Sequence, residues 1–171
     1  ALVSMMTVSE HGGSLHESGG HMYSHGIASM ALCEAYAMTG DSALRHQAQL
    51  ALNFICYAQD PVGGGWRYQP HQPGDTSVMG WQIMALKSGF MASLSVPPSV
   101  VQRASLFLDS VQVDQNEGYC YVRHKECVYT PTTSAIGLLC RMYMGTESDD
   151  EGLARGIQRL ARYEPSANDA Y

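Results

Sequence analysis

The chain is short of basic residues and of long apolar runs. Its 171 residues include 10 Lys and Arg against 16 Asp and Glu, which gives a formal net charge of −6. A nucleic-acid partner requires a basic surface, so this composition argues against one. No apolar run approaches the roughly 20 residues that a membrane-spanning helix needs. We therefore expect no nucleic-acid partner and no membrane span.

Cysteine is also sparse, and its count of five is odd. Cys33, Cys56 and Cys140 lie in apolar helical patterns, where reduced thiols pack as small apolar side chains. Secreted domains held by disulfides are shorter and richer in cysteine. These features favour a reducing compartment, the cytoplasm. The chain also lacks an initiator methionine and is interpreted as part of a longer protein.

The strongest positive signal is a repeat at a fixed interval. Two sets of residues recur every 54 positions: Leu32, Leu86 and Cys140, and Leu52, Leu106 and Leu160. A fixed period of this size is typical of stacked helical units, each too small to bury its own apolar face. We expect a single partial domain over residues 1–171, with units at about 21–74, 75–129 and 130–171.

Six helices are predicted, at about 21–38, 42–59, 76–94, 97–111, 133–145 and 149–163. Asp41, then Asp75 or Thr76, and then Thr132 or Thr133 are predicted N-caps. The first helix of each pair is apolar or small on nearly all faces, which indicates an inner position, whereas the second carries one apolar stripe. Buried inner-helix positions are predicted at Ile27, Ala31, Met84, Leu86, Ile136 and Leu139. The pattern predicts an all-α fold, a partial α/α toroid of about three helix hairpins in inner and outer layers.

The sequence resembles the squalene-cyclase and protein-prenyltransferase superfamily. Gln59 followed by Gly64-Gly65-Trp66 is similar to that family's repeated Gln…Gly-x-Trp motif, and Asp75-Thr76-Ser77 is similar to the entry of its inner helices. With the segment 22–28, these motifs most resemble uncharacterised bacterial prenyltransferase or squalene-oxidase repeat proteins. The resemblance implies the α/α toroid and leaves the chemistry open, because fold does not fix function.

The catalytic motif of the cyclases is only partly present. These enzymes protonate an alkene with an Asp-x-Asp-Asp-Thr motif, and the matching stretch here keeps only Asp75 and Thr76. Gly74 occupies the position of the protonating acid. We therefore predict that Asp75 is a helix N-cap and that the chain does not cyclise alkenes.

The zinc ligands of the prenyltransferases are also incomplete. Residues 116–120 are only loosely similar to the family's Asp-Gly-Cys ligand stretch, and the following inner helix has no His. Cys120, His124 and Cys127 alone form a Cys-x3-His-x2-Cys set, but a structural zinc takes four ligands. We predict no metal and no cofactor, with Cys120 buried and the other two residues on a loop.

Candidate binding residues lie in the loops and at the starts of inner helices. They are Tyr23, His25, Trp66, Tyr68, Asp75 and Trp81. His25 and Asp75 are either a polar pair facing a cavity or residues that satisfy local backbone, and Trp66 is predicted to be a structural staple.

Two functions remain open. The first is a non-catalytic binding or assembly module for an apolar small molecule or a peptide. The alternative is an isoprenoid-processing enzyme whose catalytic residues lie partly outside this chain. Three hairpins make about half of a toroid, so we expect a homodimer or the remainder of a longer chain to complete it.

Overall fold

The computed structural model describes residues 12–15, 21–114, 117–123, 127 and 129–163. Within these ranges the chain forms six helices: α1 Met22–Thr39, α2 Ser42–Ala58, α3 Thr76–Met91, α4 Pro98–Val111, α5 Pro131–Tyr143 and α6 Glu151–Leu160. Two short strands, β1 Gln112–Val113 and β2 Gly118–Tyr119, pair antiparallel. The prediction of a mostly helical, all-α chain is confirmed. None of the described helices is long and apolar enough to cross a membrane.

The helix boundaries follow from local capping. Gly40 ends α1 in the left-handed conformation (φ 66°), and the Asp41 side chain then accepts a hydrogen bond from the Ala43 N–H, as predicted.

The start of α5 differs from the prediction, because Thr130 is its N-cap. Pro131, at the first helical position, has no N–H to satisfy, and the Thr130 hydroxyl accepts from the Thr133 N–H. The N-cap predicted at Thr132 or Thr133 is therefore wrong.

The end of α3 also differs from the prediction. The helix ends at Met91, because Ser93 adopts a positive φ of 57° and the Leu94 N–H turns back to the Gly89 carbonyl.

Three helices form a row through the molecule. Helix α1 packs against α3, and α3 packs against α5, while α2 packs on α1 and α3 and α6 packs on α5. The Tyr23 hydroxyl donates to Ser77 Oγ near one end of α1, and Ser88 Oγ donates to Glu34 Oε1 at 3.1 Å further along. Both bonds join residues 54 apart, so α1 and α3 lie side by side in register. The close approach depends on Gly26, where a Cβ would lie 2.6 Å from Gln82 Nε2.

The predicted repeat interval matches burial in the row but not in the flanking helices. Leu32, Leu86 and Cys140 are all buried. In contrast, Leu52 is fully buried whereas Leu106 is 65% exposed, so their predicted correspondence is wrong. The buried residues of α4 lie 53 positions after those of α2, as in Phe54 and Phe107, Ile55 and Leu108, and Ala58 and Val111. The connection between α3 and α4 is therefore one residue shorter than the fixed interval requires.

Most of the predicted buried positions of the row are not buried. Leu86 is buried, but Ile27 is 43% exposed, Ala31 is exposed, and three others are half-buried: Met84, Ile136 and Leu139. The apolar pattern of these helices correctly indicated packing on several sides. It did not reveal that one side of the row is left uncovered by the described residues.

Candidate binding site

Trp66 lies in the core, on the loop between α2 and α3. Its side chain is 0% exposed, and the indole Nε1 donates to the Ile55 carbonyl at 2.8 Å. The preceding Gly64 has a φ of 79°, and a Cβ there would lie 2.1 Å from the Arg103 carbonyl oxygen. The loop therefore passes directly over α4, and the indole fixes it to α2.

Gln59 links the same loop to α4. Its Nε2 donates to the carbonyls of Gly64 (2.8 Å) and Val100 (2.9 Å), and its Oε1 accepts from Arg103 Nε at 2.8 Å. Both polar atoms of the side chain are bonded, which suits a buried amide. The two residues of the Gln…Gly-x-Trp motif thus position the segment that carries Arg67 and Tyr68.

His25 is buried at the centre of the first hairpin. Its Nδ1 accepts from the Leu15 N–H at 3.1 Å, its Nε2 lies 3.1 Å from the Ala51 carbonyl, and its ring packs on Phe54 at 4.8 Å. With Nδ1 accepting, the proton lies on Nε2 and is donated to Ala51. None of these contacts involves Asp75. They join α1 to α2 and to the segment that contains Leu15.

Tyr23, Tyr68 and Tyr121, with Ser77 and Asp75, form what we call the tyrosine cluster. The Tyr23 hydroxyl donates to Ser77 Oγ, which in turn donates to Asp75 Oδ1 at 2.7 Å. The Tyr68 and Tyr121 hydroxyls are 2.9 Å apart, and the rings of Tyr23 and Tyr68 have centroids 6.1 Å apart. The cluster thus joins the first turns of α1 and α3 to two loops.

Asp75 is the buried carboxylate of this cluster. Its Oδ1 also accepts from the Val78 N–H at 2.9 Å, so the prediction that it caps α3 is confirmed. Its Oδ2 has no hydrogen-bond partner within the described residues and lies 3.8 Å from Arg67 Nε. The Arg67 guanidinium in turn lies 5.7 Å from the centre of the Tyr68 ring. The Arg67 guanidinium is therefore close to both the carboxylate and the exposed Tyr68 ring.

Tyr121 was not among the sequence-predicted site residues. Burial raises its pKa, and the hydrogen bond with Tyr68 raises it further. These contacts therefore favour the protonated phenol, whose hydroxyl shares a hydrogen bond with that of Tyr68. The sequence did contain a signal, because Tyr121 follows Tyr68 by 53 residues, close to the repeat interval of 54.

Trp81 lies on the uncovered side of the helix row and is half-buried. Ile27 and Ala135 occupy the equivalent positions of α1 and α5, one repeat interval before and after it, and both are exposed. Residues three or four apart on a helix share a face, which adds further apolar side chains to this side. We call this surface the apolar face; it comprises Ile27, Trp81, Met84, Ala135 and Met142.

A disulfide joins Cys120 and Cys127, whose Cα atoms are 5.8 Å apart. The prediction that Cys120 is buried is confirmed. Its pairing with Cys127 was not predicted from the sequence. A disulfide is typical of oxidising compartments and argues against the reducing compartment inferred from the other cysteines. His124, the third member of the Cys-x3-His-x2-Cys set, lies outside the described residues.

The disulfide loop is tied to the start of α3. Thr76 Oγ1 donates to the Cys120 carbonyl at 2.5 Å, and the Thr76 N–H donates to the Tyr121 carbonyl at 2.9 Å. The covalent link therefore lies next to the tyrosine cluster.

The remaining thiols, Cys33, Cys56 and Cys140, are free. Burial raises their pKa values to about 12, 11 and 12, so they are weak nucleophiles at neutral pH. Among the residues that the structure describes, no three His, Cys, Asp or Glu side chains come close enough to hold a metal ion.

The chain matches no protein-family model, no curated protein and no solved structure.

Proposed function

We propose that this chain is a non-catalytic binding domain of the α/α-toroid type, whose apolar face accepts an elongated apolar small molecule with a hydrogen-bonding end group. The observation that carries the proposal is the run of uncovered apolar side chains across α1, α3 and α5. A soluble domain seldom leaves such a surface without a ligand or partner.

The arrangement of the helices supports the toroid. In a toroid, the first helix of each hairpin faces the centre and the second lies outside. Here α1, α3 and α5 contact each other in sequence, while α2 and α6 pack against that row. The uncovered side of the row is the side that a toroid would direct towards its central cavity. The exposure of Ile27 and Ala135, and the partial exposure of Trp81, are what an incomplete ring would produce.

The polar groups at the border of the face support the choice of ligand. The Tyr23–Ser77 bond lies at one end of the α1–α3 strip, and the Glu34–Ser88 bond lies towards the other. The apolar face supplies Ile27, Trp81 and Met84 between them. Tyr68, which is 39% exposed, places a hydroxyl at the first of these ends. A ligand with an apolar body and one hydroxyl end would place its body on the apolar face and its hydroxyl beside that of Tyr68.

Tryptophan fluorescence tests the proposal directly, because the chain has two Trp residues in different environments. Trp66 is fully buried and supplies a constant background, whereas Trp81 lies on the apolar face. We expect titration with farnesol, an apolar alcohol, to change the emission of the protein. Trp81→Phe should abolish the change, and Tyr68→Phe should weaken binding severalfold by removing one hydroxyl.

Leu106→Ala is the matched control, because it removes an exposed apolar side chain from α4. It should leave the titration unaltered. A titration that is insensitive to both Trp81→Phe and Tyr68→Phe, or one that Leu106→Ala abolishes, would refute the apolar face as the binding site.

A further inference from the structure

A second apolar surface lies on the opposite side of α3 from the apolar face. It is a groove of about 400 Å³ between the end of α3, the start of α4 and the end of α5. Its principal lining residues are Ile83, Leu86, Phe90, Val101, Tyr143 and Met144. This volume is within the range of small-molecule sites in proteins.

The corresponding junction between α1, α2 and α3 is closed by two devices. Gly89 packs so tightly on Leu52 that a Cβ there would lie 2.4 Å from Leu52 Cδ1. Gln49 also binds the turn after α3, because its Nε2 donates to the Ser95 carbonyl (2.9 Å) and its Oε1 accepts from the Ser95 N–H (2.8 Å). At the first junction, α3 is therefore in direct contact with α2, and two hydrogen bonds of Gln49 hold the following turn to α2.

Neither device is repeated at the second junction. Tyr143 occupies the position of α5 that is equivalent to Gly89 of α3, and this larger side chain lines the groove. Gln102 occupies the position of α4 that is equivalent to Gln49 of α2, and it is exposed. Within the described residues, no hydrogen bond joins Gln102 to the turn that follows α5. The groove is therefore the space that these two differences leave open.

Lys87 is the single charged residue among those that line the groove. Its equivalent in α5, Arg141, is held by Asp109 Oδ1 at 2.5 Å and by the hydroxyl groups of Ser105 and Tyr119. Lys87 has no carboxylate within salt-bridge distance in the described part of the chain, and its Nζ lies 5.9 Å from the centre of the Phe90 ring. In a protein of net charge −6, this lysine offers an unpaired cation beside an apolar surface.

We propose that the groove is a second binding site, which takes a medium-length aliphatic carboxylate. The chain of the ligand packs on Leu86, Val101 and Tyr143, and its carboxylate pairs with the Lys87 ammonium group. Charge complementarity selects the carboxylate over a neutral or cationic amphiphile. This site does not depend on the ligand proposed for the apolar face, since the two surfaces use different sides of α3.

Methyl NMR of the protein labelled at the methionine methyl groups provides the test. Met144 lines the groove, whereas Met38 is 86% exposed at the end of α1 and serves as an internal control. Titration with octanoate should shift the Met144 signal and leave Met38 unchanged. Lys87→Met keeps much of the apolar stem and removes the charge. We expect it to weaken octanoate binding about tenfold, as loss of a charge-assisted contact would.

Octanol and a second variant complete the design. Octanol should bind the parent protein about as weakly as octanoate binds Lys87→Met. Arg45→Met removes an exposed cation from α2 and should leave octanoate affinity unchanged, while circular dichroism checks that each variant is folded. Equal affinities for octanol and octanoate, an unchanged affinity in Lys87→Met, or no shift at Met144 would each overturn the proposal. Concentration-dependent shifts at Met144 without ligand would overturn it as well, because a second copy would then occupy the groove.

Discussion

Trp66 combines the two kinds of contact that make a single side chain costly to remove. Its ring is buried completely, and its N–H is bonded to the backbone of α2. We expect Trp66→Ala to lower the free energy of unfolding by about 3–5 kcal/mol, as large aromatic truncations in cores do. Urea denaturation of the two proteins measures this difference. A variant of parental stability that had lost ligand binding would instead assign Trp66 to a binding surface.

Asp75 can be tested as a capping residue by substitutions that keep or remove a side-chain acceptor. Asp75→Ala should reduce stability by about 0.5–2 kcal/mol, because the Val78 N–H loses its acceptor. Asp75→Ser should restore most of the loss, since serine is also a good N-cap. Thermal melting of the three proteins gives the comparison. If the serine variant were as unstable as the alanine variant, the Arg67 contact rather than the cap would be the main contribution of this residue.

At the scale of elements, the sequence predicted the helices better than their environment. Local signals are sufficient for Gly40 and Asp41, where a left-handed glycine and an aspartate cap mark a helix boundary. They were misread at Thr130, although Pro131 is itself a signal for a first helical position. The exposure of Ile27 depends on which neighbours are present, and no periodicity in its own helix contains that information.

The candidate site was predicted only in part for a related reason. Tyr23, Tyr68 and Asp75 were selected as individual residues, and the structure brings them together. Their partners Ser77 and Tyr121 were missed because the contacts join segments that are distant in the sequence. The groove at Lys87 could not be predicted from the sequence either, since it arises from contacts that are present at one helix junction and absent at the next.

The disulfide between Cys120 and Cys127 should stabilise the loop that it closes. The sequence separation is 7, and loop-closure entropy for a ring of this size corresponds to ~2–3 kcal/mol. We expect reduction to lower the unfolding free energy by about this amount. Thiol titration in denaturant should detect three free thiols before reduction and five afterwards. Five thiols in the untreated protein, prepared under oxidising conditions, would contradict the pairing.

The whole molecule, as far as the structure describes it, leaves one side of its helix row open. Exposed apolar residues such as Ile27 and Met142 lie on that side. We expect the isolated chain to self-associate, so that a second copy covers part of this surface. Sedimentation velocity over a range of concentrations provides the measurement. A particle that remains monomeric at millimolar concentration would show that the open row is self-sufficient, and the closure argument would then be wrong.

The bond from Thr76 to Tyr121 has a consequence for hydrogen exchange. Amide groups in the first turn of a helix usually exchange rapidly, because they have no partner within the helix. In α3, the Thr76 N–H is bonded to the Tyr121 carbonyl, and the Val78 N–H is bonded to Asp75. We expect both amides to be protected, but by different structures. Reducing the disulfide should accelerate exchange at Thr76 far more than at Val78, so a single deuterium-labelling experiment would report separately on the loop and on the helix cap.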